Sequence, residues 1–355
     1  MNKPNNFLQA FVGLSFFVMV PMGANAGCGS LGYNQRLQTY CMVNDPDGAA
    51  NRIETLIEID SRLKREGFSN GLGILQKTAR SPSYLDSEIQ PTLRYESNIN
   101  GGNPTGQLVL GSIVLESDDQ FLKREGLVAG VDLALGNRHF LGEGSYIKYG
   151  LTGGYSQSLE YDLNIKHWNG NTCFVKNLSG GWYLDACGNV ADSYKDLATS
   201  HGTGVSVSVA RTFSSKPNIY HYVSVGTKRS FQESGSIDQL IVSFDTMHSI
   251  GIFAGLTLKF GEAIENQLVN RFAASAQLGF NYNNRPLFLS LNYSDFSGGY
   301  LLGYPREDSI VSSVVTYPVL KNIAITIGFT ISDSNIDYYD VTTPTFGVQF
   351  SPVRF

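Results

Sequence analysis

From residue 88 onward, apolar and small polar side chains alternate with a period of two. Ile323, Ile325, Ile327, Phe329 and Ile331 share one parity, while Ala324, Thr326, Gly328 and Thr330 share the other. The same alternation runs through Leu127 to Gly136, Tyr146 to Tyr155, Val205 to Val209, Ile250 to Phe260, Ala274 to Tyr282 and Leu287 to Ser294. A strand sends successive side chains to opposite faces, so each run predicts a strand with one greasy face. Many runs reach about ten residues, the length of a tilted strand that crosses a bilayer and longer than the usual soluble strand. The opposite face carries Gly, Ser, Thr, Asn and isolated charges, which suit a polar lumen better than a second core. A periplasmic sandwich is the competing architecture.

In hydrocarbon every backbone polar group must be paired, so such strands have to close on themselves. The pattern predicts an all-β, antiparallel transmembrane barrel over 88–355. Its strands fall at 88–96, 105–116, 126–136, 144–157, 159–176 with a break after 168, 181–191, 203–213, 218–229, 246–260, 270–283, 286–295, 309–318, 322–332 and 343–350. That makes fourteen, an even number as bacterial single-chain barrels have. Twelve and sixteen stay open, because the tight turns at 215–218 and 283–286 have three predicted strands between them. They would then sit at opposite ends, unless the count is wrong around 232–248. Tyr95, Phe140, Tyr146, Trp168, Trp182, Tyr220, Tyr222, Tyr300 and Tyr317 gather near strand ends, as interfacial girdles do.

The last strand is expected to close onto 88–96. Pro352 cannot donate to a ladder, so this strand should end near Phe350. Phe346, Phe350 and Phe355 are the candidate signals for the barrel-assembly machinery.

The start of the chain has a different pattern. Lys3, the apolar run from Phe7 to Val20 and Ala24-Asn25-Ala26 read as a secretory signal peptide over 1–26, cleaved after Ala26. A lipoprotein signal at Cys28 is the rival, but Asn25 stands where a lipobox has Leu. Residues 27–87 form a short periplasmic segment. Within it, Ile53, Leu56, Ile57 and Leu63 recur at helical spacing, Gly67 offers a stop, and a second short helix fits 70–79 before Pro82. The expected role of this α-helical preface is to pack on the barrel mouth or to plug it, with a partner-binding module as the alternative.

Export changes the reading of the four cysteines, which then face an oxidising compartment. Local pairing gives Cys28–Cys41 and Cys173–Cys187. The second pair flanks the turn 177–181 almost symmetrically, which places the two residues opposite one another on neighbouring strands. Gly170 and Asn171 suggest a bulge just before it. Free, lumen-facing thiols are the alternative. The cysteine spacing matches no zinc motif, and no cofactor is expected.

Removing Lys3 with the leader takes the formal charge from −5 to −6. A mildly acidic chain without a basic cluster speaks against nucleic-acid binding. Asp132, Lys148, Asp185, Lys259 and Gln277 read as lumen lining. The histidines His139, His167, His201, His221 and His248 lie near predicted strand ends or loops. No nucleophile elbow or clustered carboxylate pair accompanies them, so the chain is not read as an enzyme. The stretch 98–104 is a turn and not a phosphate cradle, since no helix follows it.

Arg94-Tyr95-Glu96-Ser97-Asn98-Ile99-Asn100 at the first strand and Ser334-Asn335-Ile336-Asp337-Tyr338-Tyr339-Asp340 before the last resemble the surface lipoprotein assembly modifier family, as does the layout of leader, helical preface and barrel. The resemblance implies an outer-membrane barrel that assists export or surface display of a client protein. It departs from that family in the helical region, where several tetratricopeptide repeats shrink to one hairpin. Two further readings stand beside it, a porin for small solutes and a barrel hydrolase. The partners expected are outer-membrane lipid, the assembly machinery and an exported client, in a Gram-negative outer membrane.

Overall fold

The computed structural model describes Asn34, Arg36, Leu37, Tyr40, Cys41 and residues 83–354, apart from 143, 233, 234, 263, 265, 266, 284 and 321. The expected leader over 1–26, Cys28, the helical pair over 49–82 and Phe355 lie outside the described residues. Strand β1 (Ser83–Glu96) leads into a long loop that carries a small hairpin, β2 (Gln107–Leu110) and β3 (Ile113–Glu116). Then follow β4 (Gly126–Gly142), β5 (Ser145–Ser158), β6 (Asn164–Asn177), β7 (Trp182–Tyr194), β8 (Thr199–Lys216) and β9 (Ile219–Gln232). The chain continues through β10 (Gly235–His248), β11 (Ile252–Gly261), β12 (Val269–Tyr282), β13 (Arg285–Leu301) and β14 (Tyr304–Leu320). It finishes with β15 (Ile323–Ser334), β16 (Val341–Phe350) and the two-residue β17 (Val353–Arg354).

Fourteen of these strands, β1 and β4 to β16, make one antiparallel sheet in which sequence neighbours are also spatial neighbours. Pairing of β16 with β1 closes it into a barrel. The closing ladder is short. It holds Thr92, Leu93 and Arg94 against Gln349, Val348 and Gly347, with Glu88 and Ile89 then paired to β17 beyond Pro352. As expected, the last long strand stops at Phe350 and meets the predicted first strand.

The count of fourteen is right through two errors that cancel. The stretch predicted at 105–116 is no barrel strand; it turns at Gly111, where φ is +60°, and forms the separate hairpin β2–β3. No strand was expected over 230–245, where most of β10 lies; the strand expected at 246–260 takes in only the last three residues of β10, the turn at 249–251 and β11. With β10 restored, four strands separate the turn at 217–218 from the one at Asn283. Both turns therefore sit at the same end, and the expected conflict disappears. Asn218 and Asn283 hold the left-handed backbone of these tight turns, with φ of +70° and +50°.

All the connections that leave even-numbered barrel strands are brief and lie at one end, called here the turn end, along with Ser83 and Phe350. The 97–125 loop lies at the opposite, loop end. Its root is fixed by buried Ile99 against Val128 and Ile165 and by Lys195, whose Nζ donates to Glu96 Oε1 at 2.9 Å and to the Asn98 carbonyl at 2.6 Å. Its hairpin rests Leu110 on Ile336, Tyr338 and Tyr339 of the 335–340 connection. There burial, reinforced by Tyr339, pushes the Tyr338 phenol up to about 12. Arg306 stacks 3.3 Å over the Tyr339 ring and pairs with Asp308 at 2.6 Å. The two segments that carry the family resemblance thus meet the root and the hairpin of one loop.

Two local expectations fail. The registers of β6 with β5 and β7 run unbroken through Gly170 and Asn171, so there is no bulge, and β6 is continuous where a break was expected after 168. Three of the aromatic residues assigned to a girdle belong to the interior instead. Tyr146 and Tyr220 are 5% and 1% exposed, and Tyr222 packs on the buried cluster around Tyr220.

Cys173 and Cys187 are direct partners across β6 and β7, with Cα atoms 4.0 Å apart, and form a disulfide. Cys41 is also disulfide-bonded. The Cys173–Cys187 bridge closes a loop of sequence separation 14, for which the chain-entropy relation gives roughly 3 kcal/mol of stability. A C173S/C187S variant should lose about this amount in urea titrations of the micelle-folded barrel, with native heat-modifiable mobility retained.

Candidate functional site

Paired residues on adjacent strands share a face, so one register line fixes inside and outside around the barrel. Val131, Leu151, Val205, Leu256, Leu289, Ile327 and Phe346 lie on the exposed apolar outside. The opposite face lines the lumen. Over β12 to β16 that lining is uncharged and mostly short and polar at mid-height: Ser275, Gln277, Ser290, Asn292, Ser312, Thr316, Thr326, Thr330 and Thr345, with Ile310 and Val314 among them. Hydrogen bonds knit part of this wall, with Ser275 Oγ donating to Asn292 Oδ1 at 2.6 Å and Asn292 Nδ2 donating to Ser312 Oγ at 3.2 Å.

At mid-height the charged lining is confined to β1 and β4 to β11; nearer the loop end, β14 adds the Arg306–Asp308 pair. Asp132, Lys148, Asp185, Lys259 and Gln277 all take lumen-facing register positions, on five different strands. They do not converge on one point. Lys259 and Lys228 lie on either side of β10 and are close enough to act on each other. Asp132 meets His167, with Oδ1 and Nε2 3.6 Å apart, although β5 runs between their strands. Gly154 is the residue between them, and a Cβ there would overlap both side chains. Arg94 of β1 acts on the same pair.

The other histidines are dispersed. His201 Nδ1 lies 2.6 Å from Asp192 Oδ1 near the loop end, His221 Nε2 lies 2.7 Å from Ser215 Oγ at the turn end, and His248 accepts from Ile250 N in a turn.

A second element enters the lumen at the turn end, and the sequence pattern did not announce it. Asn34 caps a helical turn by accepting from Leu37 N at 3.1 Å and donates to Asp245 Oδ2 at 2.6 Å. Arg36 donates both guanidinium nitrogens to Asp185, at 2.7 and 2.6 Å, and stacks 4.5 Å from the Tyr183 ring centroid. Burial alone would lower the pKa of Arg36. The bidentate bond and the charge of Asp185 outweigh it, so the guanidinium is held more firmly protonated than usual. Leu37 and Cys41 are wholly buried against Tyr220, Met247 and Phe253, with Tyr40 edge-on to Tyr220. This short segment occupies the space inside β7, β9, β10 and β11. A capping Asn followed by Arg and Leu is its only local signal, and Asp185 lies 149 residues away.

No protein-family model and no curated protein matches this sequence. Solved barrels do resemble it in shape. Acinetobacter baumannii OccAB2 shares 9% identity over 76% of this chain and 98% of its own, with a TM-score of 0.40. Pseudomonas putida OprB, in its high-pH structure, shares 8% identity over 80% and 96%, with a TM-score of 0.45. A BenF-like porin from Pseudomonas fluorescens Pf-5 shares 8% over 77% and 99%, with a TM-score of 0.40. At such identities and TM-scores the likeness is one of barrel shape, and nothing about solute or partner follows from it.

Because Gly154 lets Asp132 and His167 meet, Gly154→Val should cost about 1–3 kcal/mol by overpacking. Urea unfolding of the refolded barrel checks this, with Thr152→Val on the same strand as the control.

Proposed function

We propose that the protein is an outer-membrane channel for small hydrophilic solutes. The observation that carries this is the lumen wall of β12 to β16, which at mid-height presents mostly short hydroxyl and amide side chains and no charge. Asn171 and Lys259, both turned inward, are solvent-exposed, which fits a water-filled interior. The exposed apolar outer face supports a place in a bilayer. Short connections at the turn end and the long loop opposite support a turn end facing the periplasm. On this reading the Asn34–Cys41 segment narrows the periplasmic mouth, and Arg36–Asp185 is its main tether.

Export assistance, implied by the family resemblance, remains a proposal of its own. Its helical client-binding region would fall in 49–82, outside the described residues, and no described contact favours it.

Planar-bilayer recording of the purified barrel tests the channel reading. Stepwise currents proportional to salt concentration are expected, and a folded barrel that stays silent would overturn it. Arg36→Ala should raise single-channel conductance, since it leaves Asp185 without its buried partner and releases the segment; such breakage typically costs about 3–5 kcal/mol.

A further inference from the structure

The outer face holds a feature that conduction does not require. A groove of about 660 Å³ opens on the apolar side of β4 to β9. Its floor is Gly170 and Thr172 of β6, Gly188 and Val190 of β7 and Thr203 of β8, joined by register. Leu151 and Tyr149 rise on one side of this floor, Val205 and Phe231 on the other. Gly188 stands at the centre of β7, so the groove lies near mid-membrane. The disulfide partners Cys173 and Cys187 sit directly behind it on the lumen side and tie β6 to β7 there.

Along β7 toward the turn end, the outward residues grow from Gly188 through Ala186 and Leu184 to Trp182. Phe174 of β6 and Val207 of β8 flank Ala186. This track ends at positive charge. Arg211 is the register partner of Trp182, with its guanidinium 5.2 Å from the Trp182 ring centroid and 5.9 Å from Phe213. Exposed Lys176 stands beside Leu184 on the other flank. Among the described residues neither Arg211 nor Lys176 makes an ion pair, so both charges face outward unneutralised.

The spacing matches one leaflet. The six steps from Trp182 to Gly188 span roughly 20 Å along a strand, or about 15 Å of depth at the usual tilt of membrane strands. Half of a hydrocarbon core is also about 15 Å. We infer that this face binds one anionic phospholipid of the inner leaflet, its phosphate between Arg211 and Lys176 and an acyl chain along the track into the glycine-floored groove. The inference rests on the barrel standing in an outer membrane, not on its conducting.

The test uses the full chain reconstituted with phosphatidylethanolamine and phosphatidylglycerol, then released into detergent and weighed by native mass spectrometry. One retained phosphatidylglycerol per barrel is expected. Arg211→Gln should cut retention about five-fold, the share of one interfacial cation. Gly188→Leu should cut it similarly with both charges intact, since a Cβ at Gly188 meets only the Gly204 carbonyl oxygen, at 4.0 Å. Heat-modifiable mobility shows that each variant is folded. Equal retention by wild type and both variants would overturn the inference. So would barrel dimers that Gly188→Leu dissolves, which would give the groove to a second copy. Membrane fractionation, run first, separates failure of the membrane reading from failure of the lipid site, and a silent barrel that keeps its lipid leaves the inference standing.

Discussion

The backbone's need for hydrogen-bond partners in hydrocarbon governs everything else here. A strand in a bilayer cannot leave an edge open, so fourteen strands have to return on themselves and the last must find the first. Once closure is required, alternation does the rest. One parity faces lipid and is apolar, and the other faces the lumen and is free to be small, polar or charged. The cost of burying a charge then sorts the lumen. Arg36 with Asp185 and Arg306 with Asp308 are paired where they are most buried, while Lys259 faces the lumen where it is solvent-exposed.

Period-two alternation was enough to read the barrel class, the position of most strands and the end of the last one near Phe350. The strand errors have physical causes. Residues 105–116 carry β-favouring Leu, Val and Ile on both sides of Gly111, and a hairpin outside the membrane uses the same residues as a strand within it. Residues 235–245 mix Asp238, Gln239 and Ser243 with Ile241 and Val242, so the apolar parity of β10 is weak and the strand was lost. Aromatic residues misled for a related reason. Tyr220 and Tyr222 stand at a strand end, but their parity points inward, where they receive the Asn34–Cys41 segment. Position along a strand did not say which face a tyrosine takes; the register did.

The interior is the less legible part. Cys173 and Cys187 could be paired from symmetry about their turn because a hairpin is a local structure. Arg36 and Asp185 could not, since their contact exists only after the barrel has closed and the chain has entered it. Gly154 belongs to the same class. Nothing near it in sequence tells that a carboxylate from one strand and an imidazole from another meet over its missing side chain.

The ladder between β16 and β1 holds three residue pairs, with two more supplied by β17, against nine pairs in the β11–β12 ladder. The wall is therefore not of even strength around its circumference. Parting it at the closing seam breaks fewer backbone bonds than at that ladder, and the hairpin of the 97–125 loop lies on the 335–340 connection, the link between the two strands just inside this seam. A loop that leaves β1 and rests beyond β16 spans the seam, so sideways opening there has to break this packing as well.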